Sequence, residues 1–277
     1  MTLSIITINY NNRLGLQKTI DSVICQTFTD YEWIVIDGGS TDGSRELIEQ
    51  YADHFAYWCS EPDKGIYNAM NKGIAHAKGE WLQFLNSGDW LYEDTTLEKV
   101  FSKEYKADIL YGDAIYFWGN KKAEKRFPQT ITLYSLITES VNHQTCFIKS
   151  HLFKTQYDES FNYYADWVKL FEWFFKDVRF EYLQNIIVYY DATGLTSTPT
   201  DKLKEEENRV LREAIPLYLQ NDVPIIKEHQ SLLQQQKEYN SHKAYRIVNK
   251  SAQTVNTILS KIIKLIEKKK FLWFTRQ

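Results

Sequence analysis

Two short turns carry the residue types that could grip a charged, hydroxylated ligand. The first, Asp37-Gly38-Gly39-Ser40-Thr41-Asp42-Gly43, follows the apolar run Trp33-Ile34-Val35-Ile36. A carboxylate at a strand end can accept from a base imide N–H or from ribose hydroxyls. The glycines let the backbone approach a ligand closely, and Asp42 can cap the next helix. An ordinary strand-turn-helix junction also explains Gly39 to Gly43, but it explains less well an Asp directly after four apolar residues. The second turn, Asn86-Ser87-Gly88-Asp89-Trp90, follows Phe84-Leu85. Its carboxylate and amide oxygens suit a hard divalent cation whose shell is completed by substrate phosphates. The same residues would equally serve as a capping turn before a helix from about Asp94. Familiar nucleotide signatures are missing. There is no Gly-x-x-x-x-Gly-Lys-Ser/Thr loop, and Gly38-Gly39 with Gly43 lacks the dinucleotide-binding spacing.

The elements that must position these turns alternate. Leu3 to Ile8 reads as a buried strand, and a helix with Leu16, Ile20, Val23 and Ile24 on one face follows. Trp33 to Ile36 is a second strand and Asp42 to Tyr51 a second helix. Ala56 to Cys59 is a third strand, Ile66 to Ala77 a helix and Trp81 to Leu85 a fourth strand. Such alternation indicates a parallel sheet with crossover helices, in which ligands sit at the carboxyl ends of the strands. Both turns lie there. From Ala107 to Leu195 the chain is richer in β and aromatic residues. Ile109-Leu110-Tyr111 and Ala114 to Trp118 read as strands around a turn at Tyr111-Gly112-Asp113, which could instead add a second carboxylate to the cleft. Trp167 to Phe175 reads as a helix and Ile186 to Tyr190 as a strand. A polar break at Thr196 to Thr200 leads into a helical remainder. No internal repeat is visible.

The 277 residues fit one large domain or one domain with an appendage. No apolar run approaches the roughly 20 residues that span a bilayer, and Met1 to Ser4 has no basic n-region or cleavage site of a secretory signal. Cys25, Cys59 and Cys146 are odd in number and widely spaced, which suggests reduced thiols in a cytoplasmic setting. The tail from Lys243 carries nine basic residues and one acidic, leaving the other 242 residues with a charge of -11. An acidic body is a poor partner for nucleic acid.

Five blocks occur in order. They are Thr7-x-x-Tyr10-Asn11, Asp37 to Gly43, Lys64-Gly65-Ile66-Tyr67-Asn68-Ala69-Met70-Asn71-Lys72-Gly73, Ala77-Lys78-Gly79-Glu80 and Phe84 to Asp89. Together they resemble the family 2 glycosyltransferases. The likeness is strong over residues 1–115 and weaker over 140–175. It implies the α/β GT-A fold of nucleotide-diphospho-sugar transferases, a mostly parallel, Rossmann-like sheet with helices on both faces. It also implies transfer of one sugar, with inversion, from a UDP- or GDP-type donor to a glycan or lipid-linked hydroxyl. Asn9, Tyr10, Asn11 and Asp37 would then hold base and ribose, and Lys64 and Gly65 would lie near the nucleotide. Asn86 to Asp89 would stand at the family's Asp-x-Asp metal motif. Because Asn86 and Gly88 replace its usual acids, Asp89 alone would contact a divalent cation, Mg²⁺ or Mn²⁺, with Asn86 and Gly88 beside the donor. Ala165-Asp166-Trp167 stands at the family's Glu-Asp pair, so Asp166 would be the base that deprotonates the acceptor hydroxyl. A first-turn helix acid is the bland alternative. His143, in Asn142-His143-Gln144-Thr145, could contact the acceptor or a phosphate, or be structural. Trp90 and Trp167 could stack on sugars or belong to the core.

The expected organisation is a catalytic domain over 1–200, with a nucleotide-sugar half at 1–115 and an acceptor half at 116–200, then a helical extension over 201–277. In the tail, Val255, Ile258, Leu259, Ile262 and Ile266 fall at helical spacing beside lysines, and Phe271-Leu272-Trp273-Phe274 follows. That basic amphipathic pattern over 251–277 suits a membrane surface or a packed helix. Peripheral attachment to the inner face of the plasma membrane would bring a cytoplasmic enzyme to a lipid-linked acceptor. A processive synthase is not indicated, since Gln-x-x-Arg-Trp is absent. A nucleotidyltransferase and a catalytically inactive nucleotide-sugar binder remain the other classes.

Overall fold

A computed structural model describes residues 1–194 and 198–241. Thr196 and Ser197 of the polar break and the amphipathic tail at 251–277 lie outside the described residues. The chain forms two compact units, 1–223 and 224–277, so the first unit includes the helix that follows the break.

The amino-terminal half alternates as its hydrophobic pattern requires. β1 (Leu3–Asn9) leads to α1 (Arg13–Ile24), β2 (Tyr31–Asp37), α2 (Ser44–Gln50), β3 (Tyr57–Ser60), α3 (Ile66–His76) and β4 (Trp81–Phe84). β1 is buried along its whole length, and from Glu32 onward so is β2, as expected for strands covered on both faces. The sheet order β3-β2-β1-β4 is parallel throughout. The chain steps outward from β1 to β3, then returns through α3 to β4. With right-handed crossovers, this puts α1 and α2 on one face and α3 on the other. α3 lies so close to β1 that a Cβ at Gly73 would stand 2.4 Å from the Ile6 Cγ2 atom.

The second half continues the same sheet with mixed polarity. β5 (Trp90–Leu91), α4 (Thr96–Val100), β6 (Ile109–Trp118), β7 (Lys121–Lys125), α5 (Leu133–Thr138), β8 (Cys146–Lys149), α6 (Ala165–Phe175) and β9 (Phe180–Asp191) follow in sequence. β8 inserts antiparallel between β4 and β6, while β9 runs parallel to β6. α7 (Asp201–Ala214) packs on α6, and α8 (Asp222–Ser241) ends the described chain.

The turn expected at Tyr111-Gly112-Asp113 does not form. These residues sit inside β6, where the register to β9 shifts as a bulge. Gly112 is needed there because a Cβ would stand 2.4 Å from the Asn185 carbonyl oxygen. Asp113 accepts from the Phe127 N–H at 2.9 Å and the Tyr182 hydroxyl at 2.7 Å. It is a strand fastener, not a cleft carboxylate.

Candidate active site

The β1–α1 loop ties the two chemically rich turns together. At the end of β1, Asn9 Nδ2 donates to Asp37 Oδ1 at 2.6 Å. Asn11, in the left-handed region at φ 48°, donates its N–H to Ser40 Oγ and accepts from the Thr41 N–H. One residue on, Asn12 caps α1 and donates from Nδ2 to the Ser87 carbonyl at 3.0 Å. A single four-residue stretch therefore contacts both the loop after β2 and the loop after β4.

Asp37 is fully buried. Besides Asn9, it accepts from the Ser40 N–H and hydroxyl and from the Ser60 hydroxyl at the end of β3. Its neighbours are hydroxyls and an amide whose Oδ1 has no partner among the described residues. Tyr10 is 67% exposed, and its ring and the Asp63 carboxylate flank Gly38. Asp63 also accepts from the Gly65 N–H at 2.8 Å, which fixes the start of α3. Lys64, beside it, is exposed. Asp42 accepts from the N–H groups of both Arg13 and Ser44, so it fastens the starts of α1 and α2.

The second turn folds around Thr19, whose hydroxyl donates to the Asp89 carbonyl and accepts from the Gly88 N–H. Gly88 has φ 102°, and a Cβ there would stand 3.0 Å from Asn12 Nδ2. An aspartate at this position would be strained and crowded, which gives the missing acid a physical reason. Asp89 is buried, accepting from the Gln144 amide at 3.1 Å and the Asp191 N–H at 2.8 Å. Burial pushes its carboxyl up to about 7, opposed by the Asp191 N–H, His143 and Gln144 and aided by the Asp191 carboxylate.

No cluster of three His, Cys, Asp or Glu side chains suited to a metal exists among the described residues. The Asn86 Oδ1 atom is nevertheless buried without a partner among them. An under-compensated carboxylate and a vacant amide oxygen on one turn fit a hard cation that takes most of its ligands from a diphosphate.

Asp166 lies in the first turn of α6. Its Oδ1 accepts from the Tyr67 hydroxyl of α3 at 2.7 Å, and its Oδ2 faces His143 Nδ1 at 2.8 Å. Burial alone would raise its pKa. The His143 hydrogen bond and charge, the Tyr67 hydroxyl and the Trp167 N–H outweigh it and hold the group below the usual carboxylate range. Its side chain keeps 21% of its surface exposed, so a hydroxyl can reach it. His143 Nε2 is 3.1 Å from Asn86 Nδ2. A continuous chain thus runs Tyr67, Asp166, His143, Asn86.

Of the two readings open to Trp167, sugar stacking or core, its burial favours the core. It is buried in the core and donates its indole N–H to the Leu136 carbonyl at 2.7 Å. Trp90 stacks on Tyr189 with ring centroids 5.0 Å apart. Sequence reasoning missed Tyr67, Gln144, Asp63 and the Asp191 N–H. Gln144 could have been suspected beside His143, but Tyr67 meets Asp166 across 99 positions and left no local trace.

The family model described as Glycosyl transferase family 2 matches residues 4–167. A PGL/p-HBAD biosynthesis glycosyltransferase of Mycobacterium bovis is 31% identical over 214 residues, covering 72% of this chain and 80% of that protein. An uncharacterized glycosyltransferase of Mycobacterium tuberculosis is 52% identical over 89 residues, 32% of this chain and 34% of its own. The crystal structure of S. aureus TarS 1-349 in complex with UDP-GlcNAc matches with a TM-score of 0.64 at 20% identity, over 77% of this chain and 65% of that one. This chain therefore spans slightly under two thirds of that structure. A mannosyltransferase from Pyrobaculum calidifontis, in complex with GDP-Man and Mn²⁺, matches with a TM-score of 0.58 at 14% identity over 83% of this chain and 69% of its own.

Proposed function

We propose that this chain, which belongs to glycosyl transferase family 2 and has the GT-A fold, moves one sugar from a nucleoside-diphosphate sugar to a hydroxyl of a glycan or lipid-linked acceptor in surface polysaccharide or glycolipid synthesis. One observation carries the reading. An accessible, ionised carboxylate, Asp166, is joined by a two-bond chain to the loop after β4 where a diphosphate would be held.

On the donor side, Tyr10 offers an open aromatic face for the base, with Asp37 and Asp63 beside Gly38 as acceptors. Gly65 and Lys64 border the same loop, and Lys64 supplies a cation for phosphate. Asp89, with the Asn86 amide oxygen, would hold Mg²⁺ or Mn²⁺, which supplies positive charge against the negative charge developing on a departing diphosphate. On the acceptor side, Asp166 takes the hydroxyl proton as the oxygen attacks the anomeric carbon opposite the leaving group. Inversion follows from that single displacement. Tyr67 and His143 each take one oxygen of Asp166, and the carboxylate still keeps lone-pair capacity for the incoming hydroxyl. A depressed pKa weakens the base but leaves it fully ionised at neutral pH, so no fraction of the enzyme is idle through protonation.

The setting proposed is cytoplasmic, in keeping with the free thiols of Cys25, Cys59 and Cys146. Contact of residues 251–277 with an anionic membrane would be read by vesicle co-sedimentation with and without them. Equal sedimentation of both chains would end that part of the proposal.

Nucleotide release from UDP- and GDP-sugars, with acceptor, in Mn²⁺ or chelator, tests the chemistry. Asp166→Asn should lower turnover by about 10²- to 10⁴-fold while calorimetry shows donor binding retained. Undiminished turnover would remove the base assignment. Donor binding without turnover in the wild type would favour an inactive binder, and pyrophosphate-dependent nucleotide exchange would favour a nucleotidyltransferase.

A further inference from the structure

His143 has no part in the displacement just described, yet its ring joins the two halves of the site. It opens a 3-10 turn, His143–Thr145, that leads straight into β8. The ring edge packs on Phe84, with centroids 6.3 Å apart at 87°, and only 15% of the side chain is exposed. Asp166 is ionised and can only accept, so a proton sits on Nδ1; in the neutral ring Nε2 then accepts from the Asn86 amide. That fixes the amide as well. Asn86 turns its Oδ1 away from the ring, and this is the oxygen left without a partner among the described residues.

We propose that His143 is a positioning residue for transfer, which orients the Asp166 carboxylate and sets its distance from the donor-side Asn86 loop. This rests on Asp166 being the base. Two donors, Tyr67 from α3 and His143 from the turn before β8, hold one oxygen each and stop the carboxylate from rotating. A base so fixed meets the acceptor hydroxyl in one orientation, and small displacements of such a group reduce rate steeply. The other titratable groups near Asp166 are Tyr157, Cys146 and Tyr164. All three are neutral acids whose own ionisation is suppressed by burial, so none replaces the hydrogen bond that the imidazole gives the carboxylate. Without His143, burial dominates and the Asp166 carboxyl titrates higher.

The test uses the full chain. In protein labelled with ¹⁵N-histidine, the His143 signal, assigned by its loss in His143→Asn, should show the Nδ1–H tautomer and shift in Asp166→Asn. An Nε2–H tautomer, or a signal indifferent to Asp166→Asn, would overturn the proposal. Kinetics use whichever UDP- or GDP-sugar the wild type turns over. His143→Ala should lower kcat about ten- to hundredfold with donor KM within about twofold, as for other residues that orient a reacting group. Its low-pH limb should move to higher pH. His143→Asn, whose amide can donate to the same oxygen, should recover part of the loss. A rise in acceptor KM with kcat and pH profile unchanged would make the ring an acceptor contact and overturn the positioning role. Wild-type behaviour of His143→Ala in an Asp166-dependent enzyme would overturn this proposal alone. Wild-type turnover in Asp166→Asn would overturn the base assignment and this proposal together.

Discussion

Asp89, Asp37 and Asp166 are three buried or part-buried carboxylates with three different sets of hydrogen-bond donors. Asp37 is surrounded by four donor contacts from Asn9, Ser40 and Ser60. Asp166 has an imidazole and a phenol, and it stays ionised. Asp89 has one amide and one N–H, too little to offset its burial, and it titrates at about 7. The sign of the consequence is fixed. An unfolded aspartate titrates near 3.8, so between about 4 and about 7 the unfolded chain releases a proton that the folded chain keeps. Stability therefore falls as pH rises through that window and levels off above it. Urea unfolding in chelator should show wild type losing up to about 4 kcal/mol more than Asp89→Asn between pH 4 and pH 8. Parallel pH dependences for the two proteins would refute the claim.

At the scale of elements, α6 matters because its first turn carries Asp166, and α7 holds that turn in place. The buried Glu206 carboxylate accepts from the N–H groups of Asn162, Tyr163 and Tyr164. Those residues lead into α6, whose N-cap, Tyr164, has no side-chain capping bond. The N–H groups before α6 are thus satisfied from another helix instead of by a local cap. Glu206→Gln puts an amide N–H₂ against these donors. It should destabilise by about 1–3 kcal/mol, read as a lower urea midpoint at unchanged slope. Turnover should fall with donor affinity unaltered, since the proposed donor loops follow β1, β2, β3 and β4. An equal fall in donor affinity would show that the loss is global. β6 teaches the complementary lesson. Gly112-Asp113 has turn composition, yet pairing with β8 and β9 on either side keeps the strand continuous and turns the glycine into a point of close approach.

For the whole molecule, one sheet carries every part of the candidate site. The parallel half ends in loops that gather Asn9, Asp37 and Asn86. β8, antiparallel beside β4, carries the preceding His143-Gln144 turn to the same edge. The first compact unit extends to Val223. Within it Leu203, Val210 and Leu211 of α7 are buried. Burying each such side chain is worth about 1.5–3 kcal/mol, so the three together rival the roughly 5–15 kcal/mol that stabilises a domain. A chain ending at Val223 should unfold in one cooperative transition and bind donor. A chain ending at Thr200 should fail to fold, as read by circular dichroism and calorimetry. Cooperative unfolding of the shorter chain would show that α7 is dispensable.

The sequence alone determined what depends on neighbours along the chain. Strand and helix periods, the Asp37 and Asn86-Asp89 turns at strand ends, and the glycines of those turns are all local, because backbone conformation and burial pattern repeat within a few residues. The family likeness of the first half rests on the same local blocks. The tertiary structure decided what depends on meeting across distance. Tyr67 reaches Asp166, Glu206 reaches Tyr163, Gln144 reaches Asp89, and Trp167 turns inward, because each outcome is set by how helices pack on a finished sheet. A hydrogen bond between residues 99 positions apart leaves no period in the sequence. Only closing the fold brings its two ends together.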